Sequence, residues 1–183
     1  MAVHLMRIVA GSARGRRLKS PKGLETRPMM DRVKEAVFSS LGAAIDDAVV
    51  LDLYAGSGSL GLEALSRGAA SATFVEWSRE ARVVLKDNLT ALGLDGDVVA
   101  MRVEEYLERP GPKVGVAFVD PPYALALPSV EHVLGLLARR LADGAVVVLH
   151  RRAGSGEVAP PPGLEVVDRR RYGDAEVTRL VKE

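Results

Sequence analysis

Short apolar runs alternate with helical stretches through most of the chain, and this alternation restricts the fold more than any other feature. The runs Val49–Leu53, 72–75 and Val114–Val119 consist mainly of aliphatic and aromatic residues, and each ends at a polar or turn-forming segment. Short strands joined by helices are typical of parallel sheets, because parallel neighbours need a crossover connection. The chain is therefore predicted to form an α/β domain in which helices surround a mostly parallel sheet.

The same patterning predicts where the elements begin and end. Parallel strands are expected at Val49–Leu53, 72–75, 98–102, Val114–Val119 and 145–149. Helices are expected at Asp31–Leu41, 59–67, 78–92, 104–108 and 129–141. Ser78 is a good N-cap for the third helix and Gly93 a good left-handed C-cap.

The C-terminal part departs from this alternation. Two further strands, 164–171 and 175–181, are separated only by the turn Tyr172-Gly-Asp174. Strands joined by a tight turn are antiparallel, so one of them must run against the rest. The predicted fold is a mostly parallel, seven-stranded, Rossmann-like sheet with one antiparallel strand, preceded by a small N-terminal β-hairpin.

The first 27 residues carry the chain's excess positive charge. They hold seven basic side chains and one acid, whereas the rest of the chain holds 18 basic and 23 acidic residues. Segments 6–10 and 16–20, joined by a turn at 11–15, predict a hairpin. We therefore predict a basic N-terminal arm over residues 1–25 and a main domain over residues 26–183. Such an arm could meet phosphates, although a merely solvated basic tail is an open alternative.

A glycine-rich loop follows the first strand and reads Asp52-Leu-Tyr-Ala-Gly-Ser-Gly58, with Gly61 shortly after it. Gly56 and Gly58 allow the backbone to turn tightly beside a ligand, and Gly61 allows the next helix to pack closely. The spacing also fits a dinucleotide site. However, a carboxylate at Asp52 would repel a pyrophosphate and attract the ammonium group of S-adenosylmethionine. Glycines that serve only helix packing are a further alternative.

Acidic and aromatic side chains follow the second and third strands. Glu76 is placed to accept hydrogen bonds from both hydroxyls of a ribose, and Trp77 to pack on an adenine. Glu104 is the candidate for the adenine edge. Tyr54, within the glycine-rich loop, would contact the cofactor or fill the core. These residues favour S-adenosylmethionine as the cofactor.

The segment Asp120-Pro-Pro-Tyr123 comes directly after the fourth strand. Two consecutive prolines end the ladder of backbone hydrogen bonds and make the chain leave the sheet rigidly. The Asp120 carboxylate and the Pro121 carbonyl could then hold the two hydrogens of an exocyclic amine, while Tyr123 supports a flipped base. The alternative is a proline-rich turn that Asp120 caps.

Several function classes are disfavoured by what the sequence lacks. There is no cysteine, so a thiolate nucleophile and thiolate metal ligands are excluded. The three histidines, His4, His132 and His150, are scattered, and we therefore expect no metal site. No apolar run approaches the length of a transmembrane helix and the start does not look like an export signal, so we expect a cytoplasmic protein without a membrane partner.

The combination of Asp52-Leu-Tyr-Ala-Gly-Ser-Gly58 with Asp120-Pro-Pro-Tyr123 resembles the amino-methyltransferases of the Rossmann-like class I fold. Three further segments narrow the resemblance to the RsmD family, and it then covers essentially the whole chain. These are the segment from Arg7 to Leu18, the segment Thr26-Arg-Pro28 with 31–38, and the late Tyr172-Gly-Asp174.

The resemblance implies transfer of a methyl group from S-adenosylmethionine to N2 of a guanine in 16S ribosomal RNA, within small-subunit particles. It implies that Asp120, Pro121, Pro122 and Tyr123 hold the target base. The implied cofactor residues are Arg27, Asp52, Tyr54, Gly56, Ser57, Gly58, Glu76, Trp77 and Glu104. The basic charge of the N-terminal arm makes Arg7, Arg14, Arg16, Arg17 and Lys19 the candidate RNA-binding residues.

Other functions remain open from the sequence. Asp-Pro-Pro-Tyr also fits methyltransferases that act on adenine N6 or on another amine. A nicotinamide-dependent oxidoreductase would use a similar glycine-rich loop, although the chain is short for one. A non-catalytic RNA-binding assembly factor could keep the same fold.

Overall fold

The structure, a computed structural model, describes residues 6–21, 29 and 31–183. Its centre is a seven-stranded sheet with the order β3-β2-β1-β4-β5-β7-β6. Strands β1 to β5 are parallel to one another, whereas β7 is antiparallel to both β5 and β6. The predicted sheet with one antiparallel strand is therefore confirmed.

The strands are β1 (Val49–Leu53), β2 (Ser71–Val75), β3 (Asp97–Val99), β4 (Val114–Val119), β5 (Leu141–Arg152), β6 (Leu164–Tyr172) and β7 (Ala175–Lys182). The helices are α1 (Asp31–Leu41), α2 (Ser59–Ser66), α3 (Arg79–Leu92), α4 (Val103–Glu108) and α5 (Leu127–Ala138), and a short 3-10 helix (Gly42–Ile45) follows α1. The predicted caps of α3 are confirmed: the Ser78 hydroxyl accepts the Ala81 N–H, and Gly93 is left-handed with φ 65°.

The predicted boundaries of β3, α5 and β5 were wrong by two residues or more. Strand β3 ends at Val99 rather than at residue 102, because it pairs only with β2 and the chain then turns into α4. Helix α5 begins at Leu127, since Pro128 is tolerated in the first turn of a helix. It ends at Ala138, and β5 already begins at Leu141, where it pairs with Val114 ahead of a register shift.

The sheet is covered on both faces, and alternate strand residues enter two separate cores. On one face Val50, Phe74 and Phe118 pack with residues of α1, α2 and α3. On the other face Leu51 and Val119 pack with residues of α4 and α5. Because side chains alternate along a strand, Asp52 points to the same face as Val50, beneath α2.

The N-terminal segment forms the predicted hairpin, but without two regular strands. Its only bridge pair among the described residues is Arg7 with Arg17, and the Leu18 N–H donates to the Met6 carbonyl at 2.8 Å. The segment instead uses side-chain acceptors: the N–H groups of Val9 and Ala10 donate to Glu63 on α2 at 2.8 and 3.0 Å. Competition from these acceptors explains why the strands predicted at 6–10 and 16–20 are not formed.

The hairpin shares the hydrophobic core of the sheet. Ile8 is fully buried there. Lys34 of α1 is also buried, donates to the Arg7 carbonyl and lies 3.4 Å from a Glu63 carboxylate oxygen. Burial lowers the pKa of Lys34, although the Glu63 charge opposes this effect. The domain boundary predicted between residues 25 and 26 lies outside the described residues. In the part of the chain that the structure describes, no helix is both long and apolar enough to cross a membrane.

Candidate active site

The loops that follow β1 and β4 leave the sheet at the same edge. The two strands are adjacent and parallel, and their last residues, Leu53 and Val119, are paired. The Asp120 N–H still donates to the Leu53 carbonyl at 3.4 Å, just beyond the end of β4. The two predicted motifs therefore converge at the carboxyl ends of the strands, where open α/β sheets bind their ligands.

Asp52 lies near the end of β1 and is almost completely buried. Its Oδ2 accepts the Gly61 N–H at 2.9 Å and so satisfies one of the free donors in the first turn of α2. Burial raises the pKa of Asp52 well above its usual range; the Gly61 hydrogen bond opposes this, and the charges of Asp120 and Glu76 add to it. Asp52 is thus a buried acid that connects β1 to α2 and lies close to two other carboxylates.

Left-handed backbone shapes the loop between β1 and α2. Tyr54, Gly56 and Gly58 have φ values of 58°, 56° and 82°. A Cβ added at Gly58 would lie 2.1 Å from Leu85 Cδ1, whereas at Gly56 the nearest heavy atom would be 4.0 Å away. Gly58 therefore packs against α3, and Gly56 faces open space. The predicted tight turn is confirmed, and so is the close packing at Gly61, where a Cβ would lie 2.3 Å from the Phe74 ring.

Glu76 follows β2 and holds this loop in place. Its Oε2 accepts the Gly56 N–H at 2.8 Å, and its Oε1 accepts the Ser78 N–H at 2.7 Å. The side chain of Ser57 is buried and faces away from this edge toward the Met6 sulfur at 3.8 Å. The carboxylate of Glu76 is therefore fixed between the loop and the start of α3.

Aromatic side chains border the same edge. The Tyr54 hydroxyl is buried and forms no hydrogen bond of regular geometry with the described residues. Burial raises the pKa of Tyr54, and the nearby Glu104 carboxylate acts in the same direction. Trp77 is 58% exposed, and the Arg102 guanidinium lies 4.9 Å from the centre of its ring. The exposed indole is therefore available on the outer side of the loops.

The Asp120-Pro-Pro-Tyr123 segment leaves the end of β4 as predicted. The Asp120 side chain is 34% exposed, whereas Pro121 is buried. The Pro122 carbonyl accepts the Leu125 N–H at 2.9 Å, which turns the chain toward α5. The Tyr123 ring is 40% exposed. An accessible carboxylate and an accessible aromatic ring therefore lie next to each other at the edge.

His150 of β5 is a partner of Asp120 that the sequence analysis did not assign. Its Nδ1 lies 2.7 Å from Asp120 Oδ1, and its side chain is only 5% exposed. Its ring centre is 6.1 Å from that of Tyr123, with the planes tilted by 55°. Burial would lower the pKa of His150, but the hydrogen bond and charge of Asp120, together with the charge of Asp174, raise it overall.

The predicted RNA-binding side chains lie on the N-terminal hairpin and are all exposed. Three of them have partners within the protein: Arg7 binds Asp31 at 2.6 Å, Arg16 donates to the Ala91 carbonyl at 2.5 Å, and Lys19 binds Asp87 at 2.9 Å. For Arg14 and Arg17 the described part of the chain offers no ion pair. These two arginines are therefore the most available to an external anion.

The structure thus brings together most of the predicted site residues. Asp52, Tyr54, Gly56, Glu76 and Asp120 surround one edge of the sheet. Ser57 and Gly58 belong to the same loop but face the protein interior. Arg27 lies outside the described residues. The described residues include no group of three or more histidine or acidic side chains that could hold a metal ion.

The chemistry of these donors fits S-adenosylmethionine. Three carboxylates, those of Asp52, Glu76 and Asp120, are close enough for the last two to raise the pKa of the first. A concentration of negative charge favours a cation such as a sulfonium or ammonium group and disfavours a pyrophosphate. With the strand order β3-β2-β1-β4-β5-β7-β6 and β7 antiparallel, the fold and this site define a class I methyltransferase domain.

Comparisons with known proteins identify the family. A family model described as Conserved hypothetical protein 95 matches residues 6–181. Ribosomal RNA small subunit methyltransferase D of Escherichia coli strain K12 is 40% identical over 154 residues, which cover 82% of this chain and 77% of the relative. The protein of the same name from Haemophilus influenzae is 39% identical over 137 residues, which cover 72% of this chain and 70% of the relative. The chain therefore belongs to the RsmD family, the family that its motifs predicted.

Solved structures agree with the family assignment. The structure of the Escherichia coli protein yhhF superposes with a TM-score of 0.87 at 37% identity and covers 97% of both chains. A hypothetical protein from Thermus thermophilus superposes with a TM-score of 0.82 at 36% identity, over 97% of this chain and 99% of that one. The likeness therefore includes the N-terminal hairpin as well as the sheet.

Proposed function

We propose that the protein transfers a methyl group from S-adenosylmethionine to the N2 amine of a guanine in small-subunit ribosomal RNA. Two relatives that share 39% and 40% identity with this chain are named as small-subunit ribosomal RNA methyltransferases. The observation that carries the proposal is the convergence of the β1 loop and the Asp120-Pro-Pro-Tyr123 segment at one edge of the sheet.

The cofactor would be held by the loops after β1 and β2. S-adenosylmethionine supplies an electrophilic methyl group on a positively charged sulfur. We assign the binding of its charged methionine end to Asp52 and, as the family resemblance implies, to Arg27, and the binding of its ribose to Glu76. Trp77, Tyr54 and Glu104 would border its adenine, and the open side of Gly56 leaves room for the ligand near the backbone.

The target base would be held by the segment after β4. An aromatic exocyclic amine is a poor nucleophile, because its lone pair is delocalised into the ring. The Asp120 carboxylate and the Pro121 carbonyl accept its two N–H groups and so turn the lone pair toward the methyl group. Tyr123 offers its exposed ring to a base that has left its stack. After transfer the amine loses one proton to Asp120 or to solvent.

The N-terminal hairpin would contact the RNA backbone. Arg14 and Arg17 are exposed arginines without an ion pair among the described residues, whereas Arg7, Arg16 and Lys19 also bind the protein itself. We propose that the arm of residues 1–25 and the domain of residues 26–183 bind one RNA together. An assembling small subunit in the cytoplasm would be the natural substrate.

The test is to map methylated bases. Small-subunit ribosomal RNA from cells without the protein is compared by mass spectrometry with RNA from cells that carry it. We expect one guanine to lose its N2 methyl group. If a methyl group were lost from adenine N6 instead, the target base would be an adenine and not the proposed guanine. An unchanged pattern, together with no transfer of labelled methyl groups by the purified protein, would contradict an enzymatic function.

The arm is tested by replacing Arg14 and Arg17 with glutamate. Removing two phosphate contacts should weaken RNA binding and reduce the slope of log affinity against log salt by about 1.5 to 2. Affinity for S-adenosylmethionine should not change. The matched control replaces Lys113 and Arg139 with glutamate. Both residues lie at the edge of the sheet opposite the candidate active site. An unchanged RNA affinity of the Arg14 and Arg17 variant would exclude the arm from RNA binding.

A further inference from the structure

We propose that His150 is a positioning residue for methyl transfer: it fixes the orientation of Asp120 and sets the net charge of the group that holds the amine. The inference rests on the proposed function, because it assumes that Asp120 receives the substrate amine. It assigns a role in the reaction to a residue of β5, a strand outside the two motifs from which the site was predicted.

The geometry gives His150 control over the Asp120 carboxylate. The imidazole approaches Asp120 from the interior of the sheet, since β5 is the parallel neighbour of β4. Its Nδ1 is 2.7 Å from Asp120 Oδ1. The histidine side chain is 5% exposed and the aspartate 34%, so a ligand can reach only the aspartate from outside. A hydrogen bond from a rigid strand residue therefore fixes a carboxylate that lies on a loop.

The same imidazole also lies beside the base platform. The ring centres of His150 and Tyr123 are 6.1 Å apart and their planes are tilted by 55°, within the range for contacting aromatic rings. Asp120 and Tyr123 are thus both supported by one side chain. Loss of His150 is expected to loosen the carboxylate and the aromatic ring together.

The charge of the pair changes with the protonation of His150. With an imidazolium the pair is neutral, and with a neutral imidazole that donates from Nδ1 the pair carries one negative charge. As the new N–C bond forms, the bond between the methyl carbon and the sulfonium sulfur breaks, and its electron pair leaves with the neutral thioether S-adenosylhomocysteine. The positive charge thereby moves from sulfur to the amine nitrogen until one N–H proton passes to Asp120 or solvent, and a negative pair stabilises that charge better than a neutral one. The rate is therefore expected to rise with pH as His150 loses its proton.

The groups around His150 place this ionisation in an accessible range of pH. Asp120 after β4 and Asp174 in the turn between β6 and β7 are the charges that act on it, and the Tyr123 ring lies beside it. Although burial would lower the pKa of His150, the two carboxylates raise it above the usual 6.5. The increase in rate should therefore be centred above pH 6.5.

The test compares His150→Asn with His150→Ala across pH. Asparagine places an amide donor near the position of Nδ1 but does not titrate, whereas alanine removes the donor. Transfer of labelled methyl groups to small ribosomal subunits is measured from about pH 5.5 to about pH 9, which spans the titration of histidine. The native kcat should rise with pH. His150→Ala should lower kcat about 10-fold or more, and His150→Asn should lose less activity and show no rise.

His132→Asn is the matched control, because His132 is exposed on α5 away from the site. It should keep the native pH profile. A rise with pH that persists in His150→Asn would overturn the inference. Equal losses in both His150 variants, without a changed pH profile, would also overturn it, because they would indicate a merely structural role.

A second measurement does not depend on activity. The pKa of His150 is measured by NMR in the native protein and in Asp120→Asn. We expect it to fall in the variant, and an unchanged pKa would overturn the pairing. If the native protein transfers no methyl group but the pKa shift is present, the proposed function fails while the Asp120 and His150 pair stands.

Discussion

Asp52 and Asp120 lie near the ends of two adjacent parallel strands, yet the protein treats their carboxylates in opposite ways. Asp52 is buried under α2, and its Oδ2 accepts the N–H of Gly61. Asp120 is one-third exposed, and its partner is the side chain of His150. The first carboxylate is thus part of the packing between a strand and a helix, whereas the second is presented to solvent.

This difference separates the two loops by function. Asp52 at the end of β1 and Gly58 in the loop that follows both contact the protein interior, so a change at either should alter both folding and cofactor binding. In the segment after β4, Asp120 contacts the rest of the protein mainly through one titratable residue. A change at Asp120 should therefore alter the reaction with little effect on the fold. The following variants test this separation.

The largest effect is expected for Asp120→Asn. The amide keeps an acceptor for His150 but removes the negative charge that holds the amine, so kcat should fall by about 100-fold to 1,000-fold. The affinity for S-adenosylmethionine and the free energy of unfolding should stay close to native. Single-turnover methyl transfer, calorimetry and urea denaturation measure the three quantities. Asp143→Asn, an exposed acid of β5, is the control. A normal rate in Asp120→Asn would refute its role.

A smaller effect on binding, with a gain in stability, is expected for Asp52→Asn. Losing a charge-assisted contact should weaken S-adenosylmethionine binding by about 10-fold. The pKa of Asp52 is raised in the folded protein, so the native protein loses stability as pH rises from 3.8 through that folded pKa. Asparagine can still accept the Gly61 N–H without this loss.

Urea denaturation at several pH values tests whether Asp52→Asn raises the free energy of unfolding, as expected. The difference in unfolding free energy, variant minus native, should increase above pH 3.8 and level off once Asp52 is ionised in the folded protein. Asp52→Leu is the companion variant, because it leaves the Gly61 N–H without an acceptor and should cost about 1–3 kcal/mol. If Asp52→Asn were less stable than the native protein at neutral pH, the Asp52 charge would stabilise the fold. That result would contradict the raised pKa of the buried carboxyl.

The sequence was sufficient for the elements that form this edge. The bounds of α1, β1 and β4 are as predicted, because β1 and β4 are apolar segments flanked by residues that end them and α1 has apolar residues at helical spacing. Motifs that follow parallel strands lie at one edge of a sheet whatever the strand order. For this reason the sequence could predict that the loops after β1 and β4 lie at the same edge of the sheet, whereas their convergence also requires that β1 and β4 are neighbours.

Features that depend on neighbours in space could not be predicted. His150 was expected at the end of the fifth strand, near the edge of the site and without an assigned role, and only the adjacency of β5 and β4 brings its imidazole to Asp120. Likewise, the sequence does not indicate that the Glu63 carboxylate accepts the backbone N–H groups of Val9 and Ala10, which a regular hairpin would pair with a second strand. The use of Asp52 by the Gly61 N–H is also visible only in three dimensions.

The smallest difference in unfolding free energy is expected between Gly58→Ala and Gly56→Ala. This pair of variants tests which glycine of the loop after β1 supports the fold and which one faces the ligand. Both glycines have positive φ, so either alanine should cost about 1–2 kcal/mol. Alanine at Gly58 must also displace Leu85, whose Cδ1 would be 2.1 Å away. Since that atom ends a flexible side chain, the additional cost should be about 1 kcal/mol.

Denaturation should therefore rank Gly58→Ala as less stable than Gly56→Ala. The order should reverse for the ligand, because the open side of Gly56 is where a cofactor would approach the backbone, with the nearest heavy atom 4.0 Å from an added Cβ. Calorimetry with S-adenosylmethionine measures this second order. Equal affinities in the two variants would mean that Gly56 faces solvent rather than the cofactor, and the ligand-facing part of the loop would then begin beyond it.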